Sequence, residues 1–268
     1  MFGRKLVDKH VAEWQFDGFA WLIDNYSSGA ALPDSPLFLP TPEFFPAVNW
    51  QTGARAGKIF HIVKSQCGFN EGDIFDLVPQ AGRPDAALGG VAMVQTWGQT
   101  ASGTYQMIPA KYGKPREIIK YDAGLEKAPV QMVATFAHEL SHALHNRAYE
   151  PLDIEPELYE LFTDLTAIYL GYGIFLANTR FEFSQFSNGD TQGWQAQGAG
   201  YLPEADMVFA TALFMQIKNI PMETAASHLK PRLAKMLKKA WRQLERHADE
   251  VEALRLRTPV KGDGVSAG

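Results

Sequence analysis

The character of the sequence changes near residue 128, and this change limits the fold more than any other feature. Before it, short apolar runs are separated by Gly, Pro, Asn and Asp, a pattern typical of strands joined by turns. These runs cover residues 73–79, 90–97, 104–109 and 116–122. After it, apolar residues recur at helical spacing. Because the strands precede most of the helices and do not alternate with them, the sequence predicts an α+β fold, with a small, mostly antiparallel sheet followed by a helical C-terminal half.

Helices are predicted on both sides of this sheet. They cover residues 5–26, 54–67, 128–147, 156–177, 203–218, 221–229 and 231–256. Five prolines keep residues 27–53 out of regular structure, and the aromatic residues of this stretch predict that it packs over a surface. Residues 181–200, rich in Gly, Gln, Ser and Asn, have the composition of a loop.

These elements predict four successive segments. Residues 1–53 form an N-terminal helix and a Pro-rich packing segment, and residues 54–178 form a core with the sheet and two central helices. Residues 179–260 add a loop and a helical C-terminal part to the same domain, and residues 261–268 form a disordered tail.

Composition and charge exclude several classes of protein. The formal net charge is −5 over 268 residues, whereas nucleic-acid-binding proteins usually carry an excess of basic residues. The single cysteine, Cys67, excludes an internal disulfide and a cysteine-based zinc cluster, so a bound metal must use His and carboxylate ligands. Charged residues interrupt the N-terminal helix, which excludes a signal peptide, and no apolar run approaches the ~18 residues of a membrane span. We therefore expect a cytoplasmic protein that binds neither nucleic acid nor a membrane.

A local excess of Lys and Arg lies in residues 230–257. A basic amphipathic helix can contact a membrane surface or an acidic partner. Acidic residues are interleaved with the basic ones towards the end of this stretch, so the pattern favours a solvated helix face.

The segment His138-Glu139-Leu140-Ser141-His142 matches the pattern HExxH inside a stretch of helical apolar spacing. Residues four apart on a helix lie about 40° apart and one turn along the axis, so the two imidazoles project side by side and can share one metal ion. Zinc favours such nitrogen ligands. Glu139 lies about 100° further round, where it can reach a water on the metal but not the metal. The motif therefore predicts Zn²⁺ on His138 and His142, with Glu139 as the general base.

A catalytic zinc ion needs a third protein ligand, and the next predicted helix offers Glu160 and Asp164, four residues apart. HExxH followed on the next helix by Glu, with Asp four residues later, resembles the gluzincin metallopeptidases typified by thermolysin. The resemblance covers residues 128–175, and Tyr159 stands where thermolysin relatives usually have Asn. It implies a zincin-like fold in which Glu160 is the third zinc ligand and Asp164 hydrogen-bonds His138.

Helical phase also favours Glu160 over Glu155 and Glu157, the other carboxylates near the start of this helix. A metal-bound imidazole usually donates its second N–H to a carboxylate, a carbonyl or water. Asp164, one turn after Glu160, can accept it, whereas the residues one turn after Glu155 and Glu157 carry no carboxylate. Glu155 also precedes a proline, which disfavours helical geometry.

Other candidate residues have structural alternatives. The resemblance implies a downstream Tyr or His that stabilises the oxyanion; Tyr201 is the first candidate and His228 the second, and each also suits a structural role. His145 lies about 10 Å along the helix from His138, too far to join the same ion, so we predict that it packs or supports a ligand without binding the metal. The resemblance also implies a sheet edge that binds extended substrate, for which residues 116–121 are the candidate; an ordinary core strand is the alternative.

Together these features predict a zinc-dependent hydrolase, specifically a metallopeptidase that acts on a peptide or protein substrate. HExxH specifies water activation and not the acyl group, so hydrolysis of another substrate class stays open. The alternative function is that of a catalytically inactive zinc-binding domain with a regulatory or docking role, since no oxyanion-stabilising residue is matched firmly.

Overall fold

The computed structural model describes residues 5–26, 35–46, 48–50, 55–81, 102–110, 115–184 and 201–257. It confirms the α+β class, because helices pack around one small sheet. The predicted strand at 90–97, residues 185–200 of the predicted loop and the predicted tail at 261–268 lie outside the described residues.

Helices make up most of the described chain. They are α1 (Lys9–Tyr26), α2 (Ala56–Gln66), α3 (Pro129–His145), α4 (Tyr159–Ala167), α5 (Gly173–Ser184), α6 (Glu204–Ile217), α7 (Met222–Ala226), α8 (Pro231–Leu244) and α9 (Ala248–Leu256). Two predicted helices are each divided, one by the π-helical turn Ile168–Tyr172 and one by the 3₁₀ turn Glu245–His247. The first four residues of the predicted loop 181–200 belong to α5.

The sheet is mixed, and the prediction of a mostly antiparallel sheet is wrong for its described strands. Their order is β1 (Phe75–Gln80), β3 (Arg116–Asp122), β2 (Gly103–Ile108). β2 runs antiparallel to β3, whereas β1 runs parallel to it. Parallel neighbours need a connection of a dozen or more residues, and residues 81–115, which include β2, supply that length.

The central position of β3 also corrects the candidate for the substrate-binding edge. Both sides of β3 are hydrogen-bonded to other strands, with Glu117 opposite Phe75 and Tyr121 opposite Gly103. Its apolar residues Ile118 and Ile119 are buried. Residues 116–121 therefore form a core strand, and of the described strands β2 makes the most extensive contact with α3.

Helix α3 lies at the centre of the fold. It begins at Pro129, in the first turn, where a missing N–H costs no intrahelical hydrogen bond. All residues from Met132 to Ala143 are buried, because α2, α4, α5 and β2 surround the helix. The polar residues of the HExxH motif are therefore inside the protein, where they need partners to offset the cost of desolvation.

The Pro-rich segment packs on the kink between α4 and α5. The rings of Phe38 and Tyr172 lie 4.8 Å apart, and the Phe38 N–H donates to the Gly171 carbonyl at 3.0 Å. Gly171 has a φ of 100°, and a Cβ there would lie 2.2 Å from the Pro36 carbonyl oxygen. Only glycine fits this backbone and this close contact.

Among the residues that the structure describes, one helical stretch has the length and composition of a membrane span. It covers Pro156–Thr179, with a mean hydropathy of 1.2, and 94% of the scored window is buried inside the fold. This burial is consistent with the core helix of a soluble protein.

Asp206, in the first turn of α6, is a half-buried carboxylate with no basic partner among its described contacts. Burial, and then the nearby charge of Asp8, raise its pKa from 3.8 to about 7. A group whose pKa is raised in the fold is favoured there in its protonated form. The contribution of protonated Asp206 to the free energy of unfolding is therefore fully present below about pH 4. It is lost as the pH rises towards 7.

We expect Asp206→Asn to stabilise the protein at pH 8 by about 2–4 kcal/mol, because each tenfold change in ionisation is worth about 1.4 kcal/mol and Asn cannot ionise. At pH 4 the variant and the parent should unfold alike. Denaturant unfolding at both pH values measures the difference. Asp8→Asn, which keeps a side chain able to cap α1, serves as the control and should give a smaller gain of the same sign. Equal stability of Asp206→Asn and the parent at pH 8 would contradict the assignment.

Candidate metal centre

His138, His142 and Glu160 converge where α4 packs across α3. One ligand atom from each residue lies within 4.8 Å of the others. Oε2 of Glu160 is 3.0 Å from Nε2 of His138 and 3.5 Å from Nε2 of His142. Ligands at ~2.0–2.1 Å from a tetrahedral zinc ion lie roughly 3.3 Å apart, so these two spacings match a shared ion. The group could therefore hold a metal ion.

Unpartnered polar atoms give an independent test of this fit. Nε2 of His142 and Oε1 of Glu160 are buried without a hydrogen-bond partner in the described part of the chain. Without a metal, a proton on Nε2 of His138 can form a hydrogen bond to Glu160. Nε2 of His142 then still has no hydrogen-bond partner among the described residues. A divalent cation would satisfy all three residues at once, and two imidazoles with one carboxylate form a donor set that zinc accepts. The residues present therefore fit a metal ion.

Asp164 fixes the orientation of His138. Its Oδ1 lies 2.8 Å from Nδ1 of His138, and its Oδ2 accepts the backbone N–H of Leu202 at 2.8 Å. Because an ionised carboxylate only accepts hydrogen bonds, Nδ1–H of His138 donates to Asp164, and Nε2 is the ring nitrogen that faces Glu160 and could bind a metal. Asp164 is 2% exposed, so water does not compete for this contact.

His142 is held mainly by aromatic side chains. Its ring is stacked with Tyr159 at 5.5 Å on one side and lies nearly parallel to Tyr105 at 6.4 Å. Oγ1 of Thr163 lies 3.4 Å from Nδ1 of His142 and donates its own proton to the Tyr159 carbonyl. Towards Nδ1 of His142, the Thr163 hydroxyl can therefore only accept a hydrogen bond. This arrangement leaves Nε2 of His142 facing Glu160.

Glu139 lies beside the cluster without joining it. Strand β2 packs so closely here that a Cβ on Gly103 would come within 2.9 Å of Oε1 of Glu139. The backbone N–H of Tyr105 donates to the Glu139 carboxylate, while Oε2 is buried without a partner among the described residues. The carboxylate is thus held in place with one oxygen ready to accept a proton.

A cavity of about 30 Å³ borders His138, Glu139 and Tyr201. A water molecule needs about 10–15 Å³ of such space, so one or two waters fit. The ring of Tyr201 lies 5.3 Å from that of His138, which brings this sequence candidate to the site. His228, the second candidate, does not line this cavity; it lines a groove with Trp50 and Lys127.

Burial and neighbouring charges shift the pKa values of His138, Glu160 and Glu139 in different directions. Burial alone would lower the pKa of His138, but Asp164 and Glu160 overcome it and raise that pKa well above its usual value. Burial favours a higher pKa for Glu160, yet the imidazoles of His142 and His138 hold it well below the ordinary value. Burial raises the pKa of Glu139, and the imidazoles offset this only in part. Glu160 therefore stays anionic, as a ligand must, while Glu139 has the greater affinity for a proton.

The remaining sequence candidates contribute no ligand atom to the cluster, although the His145 ring lies 6.3 Å from that of His142. Glu155 and Glu157 are exposed, whereas Glu160 is 5% exposed. Nε2 of His145 lies 2.9 Å from the Thr166 hydroxyl, and the His145 ring contacts Tyr159 and Phe162. His145 is therefore a packing residue, as predicted from its distance along the helix.

Sequence reasoning missed the residues that hold the cluster from outside it. Thr163 could have been found, because it lies three residues after Glu160, on the neighbouring part of the same helical face. Tyr105 gives no local signal, since an aromatic residue in a strand is ordinary. Only the packing of β2 on α3 brings it to Glu139 and His142.

Comparisons with protein-family models, curated proteins and solved structures find no match to this chain.

Proposed function

We propose that this chain is a zinc-dependent hydrolase, specifically a metallopeptidase with a zincin-like arrangement of sheet and helices. The observation that carries the proposal is the convergence of His138, His142 and Glu160, with the unpartnered Oε2 of Glu139 beside them at a water-sized cavity. The gluzincin resemblance of HExxH and the downstream Glu and Asp agrees with this geometry. Peptides or proteins are the proposed substrates.

In this proposal His138, His142 and Glu160 are the zinc ligands, supported by the convergence of one ligand atom from each. When bound at such ligands, zinc polarises a substrate carbonyl and lowers the pKa of water towards ~7. Asp164 keeps His138 in the tautomer that presents Nε2, and Thr163 does the same for His142.

Glu139 performs the proton transfer in the proposed mechanism. Its Oε2 takes a proton from the attacking water and returns it to the departing amine nitrogen as the C–N bond breaks. Burial raises the pKa of Glu139, so its proton affinity is closer to that required near neutral pH. The Tyr105 N–H keeps the carboxylate from rotating away. Tyr201, beside His138, is the proposed donor to the oxyanion.

A second candidate function is a catalytically inactive zinc-binding domain with a regulatory or docking role. The observation that favours it is burial: His138, Glu139 and His142 are each 5% exposed or less, and the cavity beside them holds only one or two waters. Both functions require the same metal ligands, so only turnover separates them.

We expect the protein, purified without added metal, to contain close to one zinc ion per chain and to cleave peptides only when that zinc is present. Elemental analysis measures the zinc. A proteome-derived peptide library, incubated with the protein alone, with a zinc chelator, and with the chelator followed by excess zinc, measures cleavage by mass spectrometry. Glu139→Gln, purified in parallel, excludes a contaminating peptidase.

Each outcome decides between the candidates. Cleavage that the chelator abolishes and zinc restores supports the metallopeptidase. Stoichiometric zinc without cleavage supports the inactive binding domain. Protein that is empty and also fails to take up added zinc contradicts both.

A further inference from the structure

A second concavity lies at the start of α3, separate from the cavity beside Glu139. It is a groove of about 420 Å³ between Trp50, the first turn of α3 and the residues that precede α8. Ligand sites in proteins usually measure about 300–1,000 Å³, so the groove can hold a side chain or a chain end of a bound molecule.

Two lysines, Lys127 and Lys230, give the lining of this groove a positive charge. Among the described residues, no Asp or Glu lines it. The nearest acidic residue in sequence, Glu126, accepts the backbone N–H of Ala56 at the start of α2. Lys127 is exposed, so its ammonium group is accessible to a molecule that enters the groove.

Hydrogen-bond donors without acceptors also favour an anionic ligand in this groove. Nε1 of Trp50 is buried and has no acceptor in the described part of the chain. The first turn of α3, at Val130 and Gln131, presents N–H groups that have no intrahelical acceptor, at the positive end of the helix dipole. A lysine, an indole N–H and backbone N–H groups from separate segments together favour an anion that accepts several hydrogen bonds.

The groove is adjacent to the cavity of the metal centre. Thr179 lines both concavities, and α3 runs from one to the other. Gln131, in the groove, precedes His138 by seven residues, which is about 10 Å along the helix axis. An extended peptide rises about 3.3 Å per residue, so about three residues span this distance.

We propose that this groove binds a carboxylate of the substrate peptide about three residues from the scissile bond. The carboxylate is either an acidic side chain or the C-terminal group. This inference rests on the proposed peptidase function and adds a substrate class to it: peptides with a negative charge at that distance.

Binding can be measured without turnover. The chain has six tryptophans, so an ¹⁵N-edited NMR spectrum of the zinc-loaded Glu139→Gln protein resolves few indole signals, and Trp50→Phe in that background identifies the signal of Trp50. The probes are an acetylated alanine tetrapeptide with a free C-terminus, its C-terminal amide, and an amidated peptide with one internal Glu. We expect the anionic peptides to shift the Trp50 signal and the neutral amide to leave it in place. If only the peptide with a free C-terminus shifts the Trp50 signal, the groove binds the terminal carboxylate. If the peptide with an internal Glu shifts it as well, the groove binds either kind of peptide carboxylate.

A matched pair of charge reversals tests the groove itself. Lys127→Glu should weaken binding of the anionic peptide at least about tenfold, which corresponds to about 1.4 kcal/mol. Lys239→Glu makes the same change of charge on the exposed face of α8, outside the groove lining, and should alter binding less than about twofold. Equal effects of the two variants, or no difference between anionic and neutral peptides, would overturn the proposal.

Cleavage specificity separates a failure of this inference from a failure of the peptidase proposal. In the peptide library, the parent protein should favour acidic residues or the C-terminus about three positions from the cleaved bond, and Lys127→Glu should lose that preference. Cleavage without such a preference overturns the groove assignment alone. If no cleavage occurs, the peptidase proposal fails, and the NMR titration still decides whether the groove binds a carboxylate.

Discussion

Replacing Glu139 with Gln is expected to lower the rate of peptide cleavage by about 10²–10⁴-fold, the usual contribution of a general acid–base group. Gln has the same shape as Glu and can still accept the Tyr105 N–H, but it cannot take a proton. Because Glu139 lies beside the ligand cluster and not within it, the zinc content should stay near one ion per chain. Cleavage of a peptide selected from the library, with elemental analysis of the same sample, measures both quantities.

The stability of the Glu139→Gln variant provides the control. Burial raises the pKa of Glu139, so a neutral side chain is tolerated at this position, and the melting temperature should stay the same or rise. Loss of zinc together with activity would show that Glu139 is a ligand. Retained activity would show that another group accepts the proton, and either result would contradict the proposed role.

Replacing Glu160 with Gln is expected to weaken zinc binding by more than about 100-fold, since losing only a partner of a metal ligand costs about 10–100-fold. The amide that replaces the carboxylate removes the negative charge beside Nε2 of His138 and Nε2 of His142. Glu157→Gln is the matched control, because Glu157 begins the same helical stretch but is exposed. Competition with a chromophoric zinc chelator measures the affinity of both variants.

Asp164→Asn should give an intermediate result in the same assay, a loss of about 10–100-fold. Asn at this position can still contact His138 and the Leu202 N–H, but it no longer supplies the charge that favours the Nδ1–H tautomer. If Glu157→Gln removes zinc while Glu160→Gln retains it, the ligand assignment is wrong, and the gluzincin resemblance of this helix fails with it.

The residues of each helix that lie together in the ligand cluster could be predicted, because helical geometry fixes which residues share a face. Residues four apart share a helix face in any fold, so the pairing of His138 with His142 and of Glu160 with Asp164 followed from spacing alone. The same rise per residue placed His145 too far along α3 to join the cluster, and the structure shows it packed against Thr166.

Strand order and strand direction could not be predicted in the same way. The short apolar run in residues 116–122, bounded by turn residues, indicates a strand, but it does not show how many neighbours the strand has. The pairing of β3 with β1 on one side and β2 on the other depends on contacts between elements that are distant in the sequence. For this reason the sequence left residues 116–121 open between a substrate-binding edge and an ordinary core strand, and the structure shows the core strand.

The sequence by itself determined which side chains can act together: two imidazoles and one carboxylate on one helix, and two carboxylates on the next helix. Only the tertiary structure decided that α4 crosses α3 so that Glu160 meets both imidazoles, and that β2 brings Tyr105 to Glu139. The reason is physical. Periodicity along one helix is set by the backbone, whereas contact between elements is set by how their buried surfaces fit together.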